Sequence, residues 1–134
     1  MTNKLFEKKT FTSFDKNYSA KIFIKKPDKY RDIENHSLAA ENLITMGSGF
    51  SFAAASFKKD NLSISFEKFN RVINFDKENK SITVEGGMKF YDLLNFTLEH
   101  KLWIPQIPGY PLISIAGAVA TNAHGKSCGF HGTI

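Results

Sequence analysis

Between Pro108 and Lys126 the chain reads PGYPLISIAGAVATNAHGK, and this run constrains the fold more than any other stretch. Ala116, Gly117, Ala118, Ala120, Thr121 and Ala123 leave a surface nearly free of bulky side chains. Such a segment has two uses. It packs tightly as a buried helix, or it lays its backbone against a large flat or extended ligand. A helix begun at Ile113 would also offer free N–H groups at its start, which favour an anion. Pro105, Pro108 and Pro111, with Gly109, make the connector before it stiff. The residues alone leave both uses open.

A second stretch rich in bare backbone is Met46-Gly47-Ser48-Gly49-Phe50-Ser51-Phe52, which follows the short apolar run Leu43–Met46. Two glycines one residue apart let the chain turn tightly and let a ligand come close. Successive N–H groups in such a turn form a nest for an anion, with a phosphate or pyrophosphate as its natural guest. An ordinary glycine-rich turn is the alternative. Two familiar nucleotide motifs are excluded. A Rossmann fingerprint needs a third glycine where Phe52 stands, and the P-loop suggested by Gly125-Lys126-Ser127 needs a glycine where Ala120 stands.

The rest of the pattern is mixed. Alternation predicts a strand over Lys21–Lys25, ended by Pro27, and another over Leu62–Phe66. Asp32–Asn42 is expected to be a short helix. Val72–Phe75 and Ser81–Glu85 form a hairpin about the polar turn Asp76–Lys80. Apolar residues at Phe90, Leu93, Leu94 and Leu98 predict a helix within Met88–His100, and Leu102–Ile104 is short and extended. Residues 1–19 are expected to be a polar lead-in and 20–134 the folded domain. The order gives an α+β fold, a small mixed sheet with flanking helices, and not the regular alternation of a doubly wound sheet. Trp103 is expected in the core, and His36 and His100 on the surface.

Of the 134 residues 42% are apolar, enough for a core, and the net charge is +5. Lys8-Lys9, Lys25-Lys26 and Lys58-Lys59 are pairs with acids nearby, so no dense basic block marks a nucleic-acid partner. Peripheral association with an anionic membrane stays open, but no apolar run reaches the roughly 18 residues of a transmembrane segment. Met1–Thr12 lacks the apolar run of a signal peptide, and Cys128 is the sole cysteine, so no intrachain disulfide is expected and the location is read as cytoplasmic. His124, Cys128 and His131 fall one short of a structural zinc set, so no metal is expected. Lys126 by itself is a solvated lysine.

Taken in order, Gly47-Ser48-Gly49-Phe50-Ser51, Ile82-Thr83-Val84-Glu85-Gly86-Gly87-Met88, Pro108-Gly109 and Ala116–Lys126 resemble the FAD-binding domain of the vanillyl-alcohol oxidase and p-cresol methylhydroxylase superfamily. Within it the chain is most similar to the sugar-oxidising branch of aldonolactone oxidases, alditol oxidases and decaprenylphosphoryl ribose oxidase. The resemblance covers roughly residues 20–134. It implies that Gly47, Ser48, Gly49, Phe50, Ser51 and Phe52 wrap the FAD pyrophosphate. Pro108 and Gly109 would line the cofactor's other side, and Ala116, Gly117 and Thr121 would lie along the pyrophosphate and ribityl chain. His124, Gly125 and Lys126 would approach the isoalloxazine, with His124 and Lys126 facing a sugar-like substrate.

The chain departs from the resemblance in two places. Many relatives carry in the first turn a histidine bonded to the flavin; Phe50 stands there, so a non-covalent FAD is implied. The family's flavin domain also continues further and is followed by a substrate domain, so the chain is expected to be an N-terminal piece, inactive alone, with the catalytic base later in the protein. The same resemblance leaves open a flavin-dependent reductase of the cell-wall precursor type. The residues without it leave open a small binding module with no redox role.

Overall fold

Apolar residues alternate through β2 (Ser19–Lys25), burying Ala20, Ile22 and Ile24 while Ser19 and Lys21 face outward. This is the pattern of a strand with one face on a core. A computed structural model describes residues 6–37, 42–126 and 128–134. The chain divides into two compact units, Met1–Lys68 and Phe69–Ile134.

The first unit holds β1 (Glu7–Thr12), β2, α1 (Tyr30–Ser37), β3 (Leu43–Met46) and β4 (Leu62–Ser65). Its sheet has the order β1-β2-β4-β3. β1 is antiparallel to β2, whereas β4 is parallel to both β2 and β3, so the sheet is mixed. Met46 and Phe57 complete the core begun by β2, with Phe11 and Ala54 packed against it. Each large apolar side chain so buried contributes about 1.5–3 kcal/mol. The expected helix appears as Tyr30–Ser37; the remainder of Asp32–Asn42 is largely outside the described residues.

One expectation is corrected here. Residues 7–12 are not a lead-in but the edge strand β1, paired with β2 from Glu7↔Ile24 to Thr12↔Ser19. Glu7, Lys8, Thr10 and Thr12 are exposed, so a one-sided edge strand carries the polar composition of a loop. The β1–β2 turn is built around Asp15. Its carboxylate accepts from the Ser13 hydroxyl (2.6 Å), the Asn17 backbone (3.2 Å) and the Asn17 amide (3.0 Å). The Ser13 hydroxyl in turn accepts from Tyr18 N–H at 3.0 Å.

The second unit holds β5 (Val72–Asp76), β6 (Ser81–Val84), α2 (Phe90–Glu99), α3 (Ile115–Ala120) and α4 (Cys128–His131). β5 and β6 form the expected antiparallel hairpin, with a register shift between Val72 and Asn74. Phe69, Met88, Phe90, Leu93 and Ala118 are buried in this unit. α2 has no side-chain cap at Lys89. Its first N–H groups instead reach the stiff connector, Phe90 to the Ile113 carbonyl (3.1 Å) and Tyr91 to the Pro111 carbonyl (2.8 Å).

Two single residues differ from expectation. Trp103 is 66% exposed rather than in the core. His100 is half-buried, its Nδ1 2.8 Å from the Phe96 carbonyl and its ring 4.6 Å from those of Phe75 and Phe96. Phe96 lies one helical turn before His100 on α2, whereas Phe75 comes from β5, a contact that no spacing near His100 announces. For His36 the side chain is outside the described residues.

Candidate cofactor site

The glycine turn leaves the end of β3, where β2, β3 and β4 run parallel. The carboxyl ends of parallel strands are where open sheets receive ligands. Gly49 has φ +74°, the left-handed region, which side chains with a Cβ rarely adopt. Space is not what excludes a side chain there, since an added Cβ would lie 3.9 Å from Met46 Sδ. Among the described residues, the N–H groups of Gly47, Ser48, Gly49 and Ser51 donate to no protein partner. Phe50 is half-buried and Phe52 is 69% exposed. The turn therefore presents unspent donors in a conformation that suits an anion.

The small-residue stretch lies in the second unit and is built differently. Ser114 caps α3, its hydroxyl accepting from Gly117 N–H at 3.3 Å. Ile115 N–H donates to the Met88 carbonyl (2.8 Å), Ala116 N–H to the Gly86 carbonyl (2.9 Å) and Ala118 N–H to the Ser114 carbonyl (3.0 Å). The free donors expected at the start of this helix are thus already used, and α3 is only six residues long. The expected anion site at its N-terminus is corrected on that ground. The competitor is main chain: Gly86 and Met88 supply carbonyls that no sequence pattern advertises.

Three glycines of this unit, Gly86, Gly117 and Gly125, are fixed by close approach. A Cβ on Gly125 would fall 1.9 Å from the Ile107 carbonyl oxygen, one on Gly86 2.9 Å from Ala116 Cβ, and one on Gly117 2.9 Å from Ser114 Oγ. Gly125 pairs with buried Pro108 as an isolated antiparallel bridge, while Gly109 is exposed with open space around it. Ala116, Thr121, His124 and Lys126 are exposed, so much of the stretch is a bare surface and not the interior of a bundle. The Thr121 hydroxyl turns back onto α3, donating to the Gly117 carbonyl at 2.9 Å. His131 is exposed as well, and the side chain of Cys128 lies outside the described residues.

Sequence reasoning missed two features. Glu85 is buried and accepts from Arg71 through the backbone N–H (2.8 Å), Nε (3.1 Å) and a terminal guanidinium nitrogen (2.7 Å). A forked guanidinium matches a carboxylate in this way, and it ties the two ends of the β5–β6 hairpin beside Gly86. The acid ending an alternating strand was the available signal. The second feature is Phe14, whose ring lies edge-on to Phe50 (5.8 Å) and to Phe52 (5.2 Å). Nothing in the spacing of residues 14, 50 and 52 announces that contact.

The profile of the FAD binding domain family matches residues 28–134. The chain belongs to this family. Its likeness to solved structures gives the same fold: a cholesterol oxidase from Brevibacterium sterolicum superposes with a TM-score of 0.77 at 17% identity over 90% of this chain and 25% of that one. An alkyldihydroxyacetonephosphate synthase gives 0.71 at 18% identity, over 87% of this chain and 25% of that one. A decaprenylphosphoryl-β-D-ribose oxidase from Mycolicibacterium smegmatis is 33% identical over 46 residues, 34% of this chain and 10% of that protein. The chain thus spans about a quarter of the solved structures and a tenth of the curated relative. The α+β FAD-binding domain of the p-cresol methylhydroxylase type and its FAD cofactor stand on this membership. Among the described residues no helix is long and apolar enough to cross a membrane.

Proposed function

We propose that the chain is the FAD-holding part of a flavin-dependent oxidoreductase that oxidises the alcohol carbon of a sugar-like alcohol or lactone. The observation carrying this reading is the turn at Gly47–Phe52, with its left-handed Gly49 and unspent N–H groups. These donors suit the pyrophosphate, whose charge they meet without a lysine or arginine in the turn. Bound FAD supplies the hydride acceptor. Phe50 has no nucleophilic atom, so the cofactor is held non-covalently. Pro108, Gly109, Ala116, Gly117 and Thr121 are assigned to the cofactor, and Gly125 to the backbone fold that presents His124 and Lys126. Those two exposed side chains are assigned to the substrate side. The sugar preference rests on the 46-residue likeness to a ribose oxidase.

The test is Gly49→Val in the native full-length protein. A β-branched residue resists the left-handed region. The variant is expected to purify colourless, whereas the parent carries a flavin absorption spectrum. Flavin retention equal to the parent would remove the pyrophosphate from this turn. A panel of sugar alcohols and lactones, read by bleaching of the flavin band without oxygen, checks the substrate class.

A further inference from the structure

We infer that the β1–β2 hairpin is a working part of the pyrophosphate turn, with Phe14 as the positioning residue that holds residues 50–52 in their binding shape. This rests on the reading of Gly47–Phe52 given above. The hairpin precedes the residues matched by the family profile, which begin at 28.

The observations run along the whole loop that joins β3 to β4. At its start Phe14 meets Phe50 at 88° and Phe52 at 81°, the edge-on geometry that aromatic quadrupoles favour. Further on, Phe11 and Tyr18 flank Phe57, with Tyr18 stacked on it at 5.7 Å and 28°. At its end Lys59 N–H donates to the Tyr18 hydroxyl (3.4 Å) and Asp60 N–H to the Lys21 carbonyl (2.9 Å). Phe11 and Tyr18 thus anchor the distal loop to the core. Phe14 alone of the three bears on the glycine turn itself.

Phe14 is 42% exposed and Phe52 69%, so these rings bury too little to be explained as core. Their effect is orientational. Gly49 by itself takes positive or negative φ about equally readily, and a turn of unspent N–H groups is useful only if it is already shaped when the anion arrives. Rings fixed just after Gly49 restrict that turn from one side, and β3 fixes it from the other. The Asp15-centred turn in turn fixes Phe14, because Ser13 and Asp15 flank it and are hydrogen-bonded to each other.

The experiment measures FAD affinity and thermal unfolding of the apoprotein for the full-length parent, Phe14→Ala, Phe14→Tyr and Gly49→Val. The expected result is FAD affinity weakened about tenfold by Phe14→Ala, restored to within about twofold by Phe14→Tyr, with apoprotein unfolding little changed by either. Parental affinity in Phe14→Ala overturns the inference. So does a loss of affinity that tracks a lower unfolding temperature and is not restored by tyrosine, since that is a merely structural role. If Gly49→Val binds FAD like the parent, the pyrophosphate turn itself is wrong and the Phe14 role falls with it. If Gly49→Val loses FAD while Phe14→Ala keeps it, only the Phe14 role falls.

Discussion

Gly125 shows how one residue type serves two purposes that a sequence cannot separate. The family resemblance assigns it to the cofactor, yet the 1.9 Å approach of its missing Cβ to the Ile107 carbonyl oxygen already requires glycine. Gly125→Ala is therefore expected to destabilise the protein by about 2 kcal/mol or more without any FAD present, since a backbone clash must be relieved by moving main chain. Chemical denaturation of the apoprotein checks this; unchanged stability would return Gly125 to a purely cofactor-facing role. Gly49 is the opposite case, required by its backbone angle and not by crowding. Both glycines were legible as special positions. The reason for each was not, because a partner 18 residues away and a left-handed φ leave the same mark in a sequence.

Among the elements, strands marked by an apolar run or alternation were legible, even at a sheet edge as in β3, whereas the mostly polar β1 was not. β2, β3, β4, β5, β6 and α2 follow their apolar spacing. β1 shows mostly polar residues outward, and the start of α3 depended on carbonyls at Gly86 and Met88 that carry no side-chain signature. The two antiparallel hairpins share a device that neither pattern displayed. Asp15 is held below the usual carboxylate range by the Ser13 hydroxyl first and the Asn17 N–H second. Asp76 is held low by the Asn79 backbone N–H first and its side-chain amide second, at 3.0 and 2.7 Å. A folded pKa below the unfolded one means that the unfolded chain binds protons more readily. The contribution of both turns is therefore complete at neutral pH and lost as pH falls through the depressed folded values. Carboxyl titration by NMR is expected to give both midpoints below the ordinary aspartate value, and Ser13→Ala to raise that of Asp15 while leaving Asp76 unchanged.

For the whole molecule, FAD is a folding ligand as well as a cofactor. Anything that binds only the folded state adds stability in proportion to the logarithm of its saturation. At a hundred times its Kd, FAD is expected to add about 2.7 kcal/mol to the unfolding free energy of the full-length protein. Gly49→Val is expected to erase that increment, as read by denaturation with and without the flavin. The α+β class was legible from the order of strands and helices, and the FAD-binding family and its cofactor from the resemblance carried by the glycine and alanine motifs. The division into two compact units was not, since Lys68-Phe69 interrupts no pattern that marks a linker.

The seam of the second unit has one more consequence. Residues 86–91 and 111–116 are sewn together by amide-to-carbonyl bonds, with Phe90, Tyr91, Ile115 and Ala116 donating. Such stitching is indifferent to what the side chains are, apart from Gly86, where Ala116 leaves no room. Neutral drift can therefore rewrite the outward positions of this seam, Ala116 excepted, while its shape persists. An engineer choosing where to graft new specificity would find a tolerant scaffold there, pinned where Gly86 meets Ala116.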